Sequence, residues 1–220
     1  MKKIRFLKNF VTTTGKLIAT IAILAATNSG AMAASIPVFN TGVNNSGGLL
    51  PNSAVDSHYS VIAAPGPYTT AFTGNGVVLP TGWIAEGPAS RWIGVTSFMG
   101  EWRPTGTYTF RTTFNLTGLD ASSASLSLSI ASDNNCDVFL NGVHTGITTP
   151  FAGFSSFSSY SVNSGFLAGI NTLDFSVFEL GSTPSGLRVQ LTGTANVVPE
   201  PTSVALIGLG GMMLFALRRK

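Results

Sequence analysis

Over long stretches of this chain, apolar side chains recur at every second position. Tyr108, Phe110, Thr112, Phe114 and Leu116 alternate with Thr109, Arg111, Thr113 and Asn115. Leu126, Leu128 and Ile130 alternate with Ser127 and Ser129, and Cys136, Val138 and Leu140 with Asp137 and Phe139. Leu173, Phe175 and Val177, then Leu187, Val189 and Leu191, repeat the pattern. A β-strand sends successive side chains to opposite faces, so each run buries one face and wets the other, as antiparallel sheets do. No segment between 34 and 195 sustains the 3.6-residue spacing of an amphipathic helix. Turn signals separate the runs. Asn141-Gly142, between Leu140 and Val143, suits a two-residue type I′ turn, which needs positive φ at both positions. Thr117 to Asp120 and Ser182 to Gly186 mark further turns. The pattern predicts an all-β fold, a single antiparallel β-sandwich over residues 34–195. Residues 35–80, rich in Gly, Asn and Pro and broken at Pro65-Gly66-Pro67, are expected to form a loop-rich first sheet edge.

Charge is segregated along the 220 residues. Lys2, Lys3, Arg5, Lys8 and Lys16 lie at one end and Arg218, Arg219 and Lys220 at the other. Between Ala34 and Val198 only Arg91, Arg103, Arg111 and Arg188 are cationic, against the anions Asp56, Glu86, Glu101, Asp120, Asp133, Asp137, Asp174 and Glu179. A body with an excess of anions and no lysine cannot neutralise phosphates, which excludes a nucleic-acid partner. Residues 1–33 have a cationic start, an apolar run from Leu17 to Ala26, and the small residues Ala31-Met32-Ala33. That order predicts a signal helix cut by signal peptidase after Ala33, with Ala31 and Ala33 filling its pocket; an uncleaved N-terminal anchor is the alternative. Cys136 is the only cysteine, so it is either a buried free thiol or one half of an intermolecular bridge.

The other end, residues 196–220, reads Val197-Val198-Pro199-Glu200-Pro201, an apolar segment at about 202–217, and a closing Arg218-Arg219-Lys220. The bland reading is a short C-terminal transmembrane helix with its basic end cytoplasmic. Pro-Glu-Pro, a short Gly-containing apolar run and a basic cluster, in that order, resemble the PEP-CTERM sorting signal. The resemblance implies that an exosortase-type membrane enzyme recognises Pro199, Glu200 and Pro201, with Arg218 and Arg219 closing the signal. It further implies a Gram-negative source that makes exopolysaccharide, and a precursor held at the inner membrane before it reaches the cell surface or extracellular matrix. Within the body, Gly106 to Phe114, Ser132 to His144 and Phe166 to Phe175 resemble the jelly-roll of galactose-binding-like domains, especially the sugar-binding domain of glycoside hydrolase family 2. That resemblance covers about residues 80–194 and speaks to fold.

Little in the chain points to catalysis. There is no His-Glu-x-x-His and no Gly-x-Ser-x-Gly, and the two histidines, His58 and His144, have no partners in sequence. Glu86, Glu101 and Glu179 are the carboxylates that could converge as a glycosidase pair. Asp133, Asn134 and Asp137 form one acidic cluster, which either holds a structural Ca²⁺ or caps the loop before a strand. Trp83, Trp92 and Trp102 fall within a short span beside Arg91 and Arg103. Flat rings stack on sugar faces while arginine bonds hydroxyls, so Trp83, Trp92, Trp102 and Arg103 are candidate carbohydrate contacts; the competing reading is core packing. Composition and motifs together lead us to expect a non-enzymatic exported protein that contacts exopolysaccharide; the alternatives are a purely structural envelope or biofilm matrix protein and, after it, a glycan-active enzyme.

Overall fold

The structure is a computed structural model that describes residues 32–76, 79–101, 103–181 and 184–198. Ala33–Val197 form one compact unit. Its strands are β1 (Ala33–Ser35), β2 (Val55–Ala63), β3 (Thr70–Thr73), β4 (Ile93–Gly94), β5 (Gly106–Asn115) and β6 (Ser125–Asp133). They continue with β7 (Cys136–Leu140), β8 (Val143–Thr148), β9 (Ser158–Val162), β10 (Ile170–Glu179) and β11 (Gly186–Asn196). All pair antiparallel in the order β8-β7-β10-β5-β2-β3-β4-β11-β6-β9, with β1 also on β11.

The alternation read from sequence is the register of this sheet. Phe110 lies opposite Phe175, and Phe175 opposite Val138, while Val189 faces Ile130 and Leu191 faces Leu128. Side chains from β5, β7 and β10 meet those from β6 and β11 in one continuous core. The outward face of the long strands is Ser and Thr, with one bidentate ion pair between cross-strand neighbours: Arg111 Nε donates to Asp174 Oδ1 at 2.6 Å and its Nη2 to Oδ2 at 2.7 Å. Asn141 and Gly142 take φ of 53° and 78°, the pair of left-handed residues that a type I′ turn requires.

Two flanks of sheet cover one core, as a sandwich does, but they are joined through the short strands β3 and β4 into a single, nearly closed barrel. At the seam between the outermost strands, Tyr160 of β9 donates its hydroxyl proton to the Thr148 carbonyl of β8 at 3.4 Å. The segment expected to be a loop-rich sheet edge instead supplies β2, an interior strand between β5 and β3. Its register shifts against both neighbours, so the inward residues Asp56, Tyr59 and Val61 do not fall on one period of two. A bulge of this kind hides a strand from any pattern search.

The signal helix expected over residues 1–33 lies outside the described residues apart from Met32 and Ala33, and the transmembrane segment at 202–217 lies outside them altogether. Among the described residues no helix is long and apolar enough to cross a membrane. Cys136 is free, fully buried on β7, and burial pushes its thiol pKa up.

Candidate functional site

One end of the body carries a second, smaller apolar cluster beside the main core. It forms where β6 and β10 finish and β7 and β11 begin. Trp83 and Trp92 pack with ring centroids 4.2 Å apart, backed by Met99 and Ala131 and flanked by Leu79, Ile84, Phe154 and Phe157. Indole rings bury well only if their N–H groups find acceptors. Trp92 Nε1 donates to the Ile84 carbonyl at 2.9 Å, and Trp83 Nε1 to Asp133 Oδ2 at 2.8 Å. Gly186 opens β11 here because a Cβ would stand 2.6 Å from the Trp83 ring, nearer than any side chain tolerates. The β8–β9 connection, with a 3-10 turn at Gly153–Ser155, closes over the pair: Ile84 N–H donates to the Phe154 carbonyl at 2.8 Å.

Charged groups in this end are buried and bound. Arg188 is 2% exposed; its Nε donates to Ser90 Oγ at 2.9 Å, Nη1 donates to the Ala85 carbonyl, and the guanidinium lies 4.9 Å over the Phe157 ring. Burial lowers its pKa, partly offset by Glu86. Arg103 donates to Glu101 Oε2 at 2.8 Å and to the Phe98 carbonyl at 3.2 Å, bonds Thr96 Oγ1, and sits 5.8 Å over Tyr68. Asp133 is pushed up to about 6, chiefly by burial, with the negative Glu179 adding to it and the Trp83 hydrogen bond opposing. Glu179 is itself fully buried, its Oε1 accepting from Gly181 N–H at 2.9 Å.

Several sequence expectations are corrected by these positions. Trp92 is fully buried and Trp83 is only 8% exposed, too little of either to offer a ring face to a sugar. Their N–H groups are consumed inside the fold, which makes them core residues. Arg103 is likewise interior, its donors committed to Glu101, Thr96 and Phe98. Trp102 lies outside the described residues. The acidic cluster does not converge: Asp133 Oδ1 accepts from Asn134 Nδ2 at 2.9 Å and Asn134 Oδ1 from Leu180 N–H at 3.2 Å. Asp137 is on the exposed side of β7, where Oδ1 takes the Thr148 hydroxyl at 2.6 Å and stands 3.7 Å from His144 Nε2. The Asp133 oxygens are taken by the Trp83 indole and the Asn134 amide and that of Asn134 by the distant Leu180 N–H, and no group of three metal-ligating side chains occurs among the described residues. The three glutamates have different surroundings: Glu86 Oε1 accepts from Trp92 N–H at 3.1 Å, Glu101 pairs with Arg103, and Glu179 is inside.

What the end does present is concavity. A depression of about 500 Å³ runs over Gly74, Leu79, Pro80, Thr81, Trp83 and Glu86. Across the 79–81 segment a second one, of about 350 Å³, is lined by Asn75, Phe98, Met99 and Pro184. Phe98 is the aromatic ring that sequence reading missed. It is 47% exposed in the loop between β4 and β5, and Gly, Ser and Thr neighbours give it no periodic signal.

Solved structures similar to the chain include a CBM35 from Paenibacillus barcinonensis, at 11% identity over 64% of this chain and 98% of that one, with a TM-score of 0.33. A family 35 carbohydrate binding module from Clostridium thermocellum matches at 6% identity over 66% and 98%, TM-score 0.33. The CBM35 of Cellvibrio japonicus Abf62 matches at 12% over 62% and 90%, TM-score 0.31. Likenesses of this size fix neither topology nor ligand. No curated protein matches the sequence. Residues 197–220 match the PEP-CTERM protein-sorting motif, which marks an exported protein processed by an exosortase.

Proposed function

We propose that the chain is a non-enzymatic protein of the cell envelope or extracellular matrix whose galactose-binding-like body holds exopolysaccharide at the paired depressions. The observation that carries this reading is the pair of depressions that share residues 79–81 in their lining. Its walls are mostly apolar and backbone, with one half-exposed ring, Phe98, and the polar groups Thr81, Asn75 and Glu86 at the margin. Sugar sites are built this way: an apolar floor against the ring carbons and a few placed polar groups for the hydroxyls. The volumes suit one or two sugar residues of a longer chain.

The test is a glycan array with the purified protein, including the producer's own exopolysaccharide. We expect saturable binding that Phe98→Ala abolishes while circular dichroism and the unfolding midpoint stay unchanged. Absence of binding to every glycan favours the second reading, a purely structural matrix protein, which the burial of Trp83 and Trp92 supports.

A further inference from the structure

We propose that the opposite pole of the body, where both chain ends leave, is the face that rests on a lipid bilayer while the sorting tail is attached. It rests on the reading that the apolar run 204–217 inserts in a membrane. The pole is defined by hydrogen bonds within the body. Ala33 of β1 pairs with Asn196 of β11, and Val197 bridges to Leu119. Leu116 N–H donates to the Gly169 carbonyl, and Asn141 N–H to the Thr172 carbonyl, which brings the β7–β8 hairpin and the start of β10 to the same end.

This end exposes aliphatic side chains: Val143 at the hairpin turn is 71% exposed, Ile170 70%, Leu167 55% and Val197 41%. The body's arginines lie elsewhere, three around the tryptophan pair and Arg111 in mid-strand on Asp174. Asp120, tied up capping the 3-10 turn Ala121–Ser123, is the acidic residue of the pole. A surface of aliphatics without Lys or Arg suits the interfacial region of a zwitterionic membrane better than an anionic partner.

Reach selects this pole over the other. Only residues 199–203 separate Val198 from the apolar run, a span of about 17 Å at full extension. The ten residues of β10, at about 3.3 Å each, set Ile170 and Leu180 roughly 33 Å apart. Leu180 is 55% exposed and as apolar as Leu167, yet it stands a strand's length from the exit of the tail. The outward positions of β5 and β6 are mainly Ser and Thr, although β2 also exposes Val55 and Ile62, so the body sits end-on, where the tail leaves, and holds the depressions away from the lipid.

The experiment uses the full chain reconstituted in phosphatidylcholine–phosphatidylethanolamine vesicles. Val143→Cys, Ile170→Cys and Leu180→Cys are labelled one at a time with an environment-sensitive fluorophore, and buried Cys136 stays unlabelled. We expect the labels at 143 and 170 to brighten, shift to the blue and be quenched by doxyl-phosphatidylcholine, while the label at 180 keeps its aqueous spectrum. A chain that floats with the vesicles but whose labels at both poles stay aqueous overturns the proposal alone. A chain that does not float overturns the anchor and the proposal with it. Protection at 170 that rises with protein-to-lipid ratio and ignores the quencher puts a second copy there, and also overturns it.

Discussion

The two ends of β10 make different use of the same kind of strand. At the Glu179 end, charged and aromatic groups are folded inward: Arg188, Asp133, Glu179 and Trp92 are all buried, and each has a hydrogen-bond partner inside the fold. At the Ile170 end the aliphatics point outward, and order comes from backbone and amide hydrogen bonds. Asn141 Nδ2 donates to the Gly165 carbonyl at 2.9 Å and to Asn171 Oδ1 at 2.8 Å, and its own Oδ1 takes Thr172 N–H at 3.0 Å. One pole therefore depends on burial of charged and aromatic side chains and the other on amide hydrogen bonds that tie the hairpin to neighbouring strands. Buried charges stay in place only while every partner does, so the first pole has more to lose from a single truncation.

The largest effect is expected there. Trp92→Ala removes a fully buried indole that packs on Trp83 and bonds Ile84, and should cost about 3–5 kcal/mol of stability by urea unfolding. A cost near that of a surface substitution would show that the cluster is an ornament on the main core and would erase the contrast. At the other pole, Asn141→Ala deletes three side-chain hydrogen bonds and a residue suited to φ of 53°; about 1–3 kcal/mol is expected, read from the same titration. Parity between the two would mean that the hairpin, not the tryptophan pair, holds the barrel ends.

Both poles contain parts that were legible in sequence and parts that were not. Asn141-Gly142 was readable because its turn chemistry is local, and β5, β6, β7, β10 and β11 because each keeps a clean period of two into the core. β2 was not, since a bulge throws Asp56 and Tyr59 off phase, and a buried Asp at an inward position reads as loop. The tryptophans were noticed but their side of the surface could not be known. Burial of Trp83 depends on Asp133, distant in sequence, and on Gly186, which leaves room for the ring. Arg103 resembled a hydroxyl-binding cation for the same reason: its acceptors are a loop fold, not a motif. The sorting signal at 197–220 was legible because a linear motif lies in the order of residues along the chain and needs no fold to be seen.

Acidity sharpens the comparison at intermediate size. Asp133 titrates near 6 in the folded protein against about 4 in an unfolded chain. Between those values the native state holds more protons than the unfolded one, so this group's contribution to stability falls as pH rises from about 4 to about 6 and stays at the lower level above. Asp56, raised by burial as well, acts with the same sign. Asp133→Asn keeps the neutral form at every pH, so the loss of stability between about pH 4 and pH 7 should shrink in the variant. An unchanged pH profile would show that Asp133 is ionised as readily in the fold as outside it, and that this pole tolerates charge as well as its opposite does.

The smallest effect belongs to the exposed aliphatics. Val143→Ser and Ile170→Ser remove side chains that are 71% and 70% exposed, so little buried area is lost. Each should change unfolding free energy by no more than about 0.5 kcal/mol in detergent-free solution of the tail-less protein. Ile170 also sits at the first position of β10 opposite Asn115, where loss of β-branching weakens a strand end only slightly. If stability is indifferent to these residues, folding does not account for their apolar character, and the contrast with the buried pole stands. A large loss would mean instead that they close the barrel end, and the two poles would then differ in degree and not in kind.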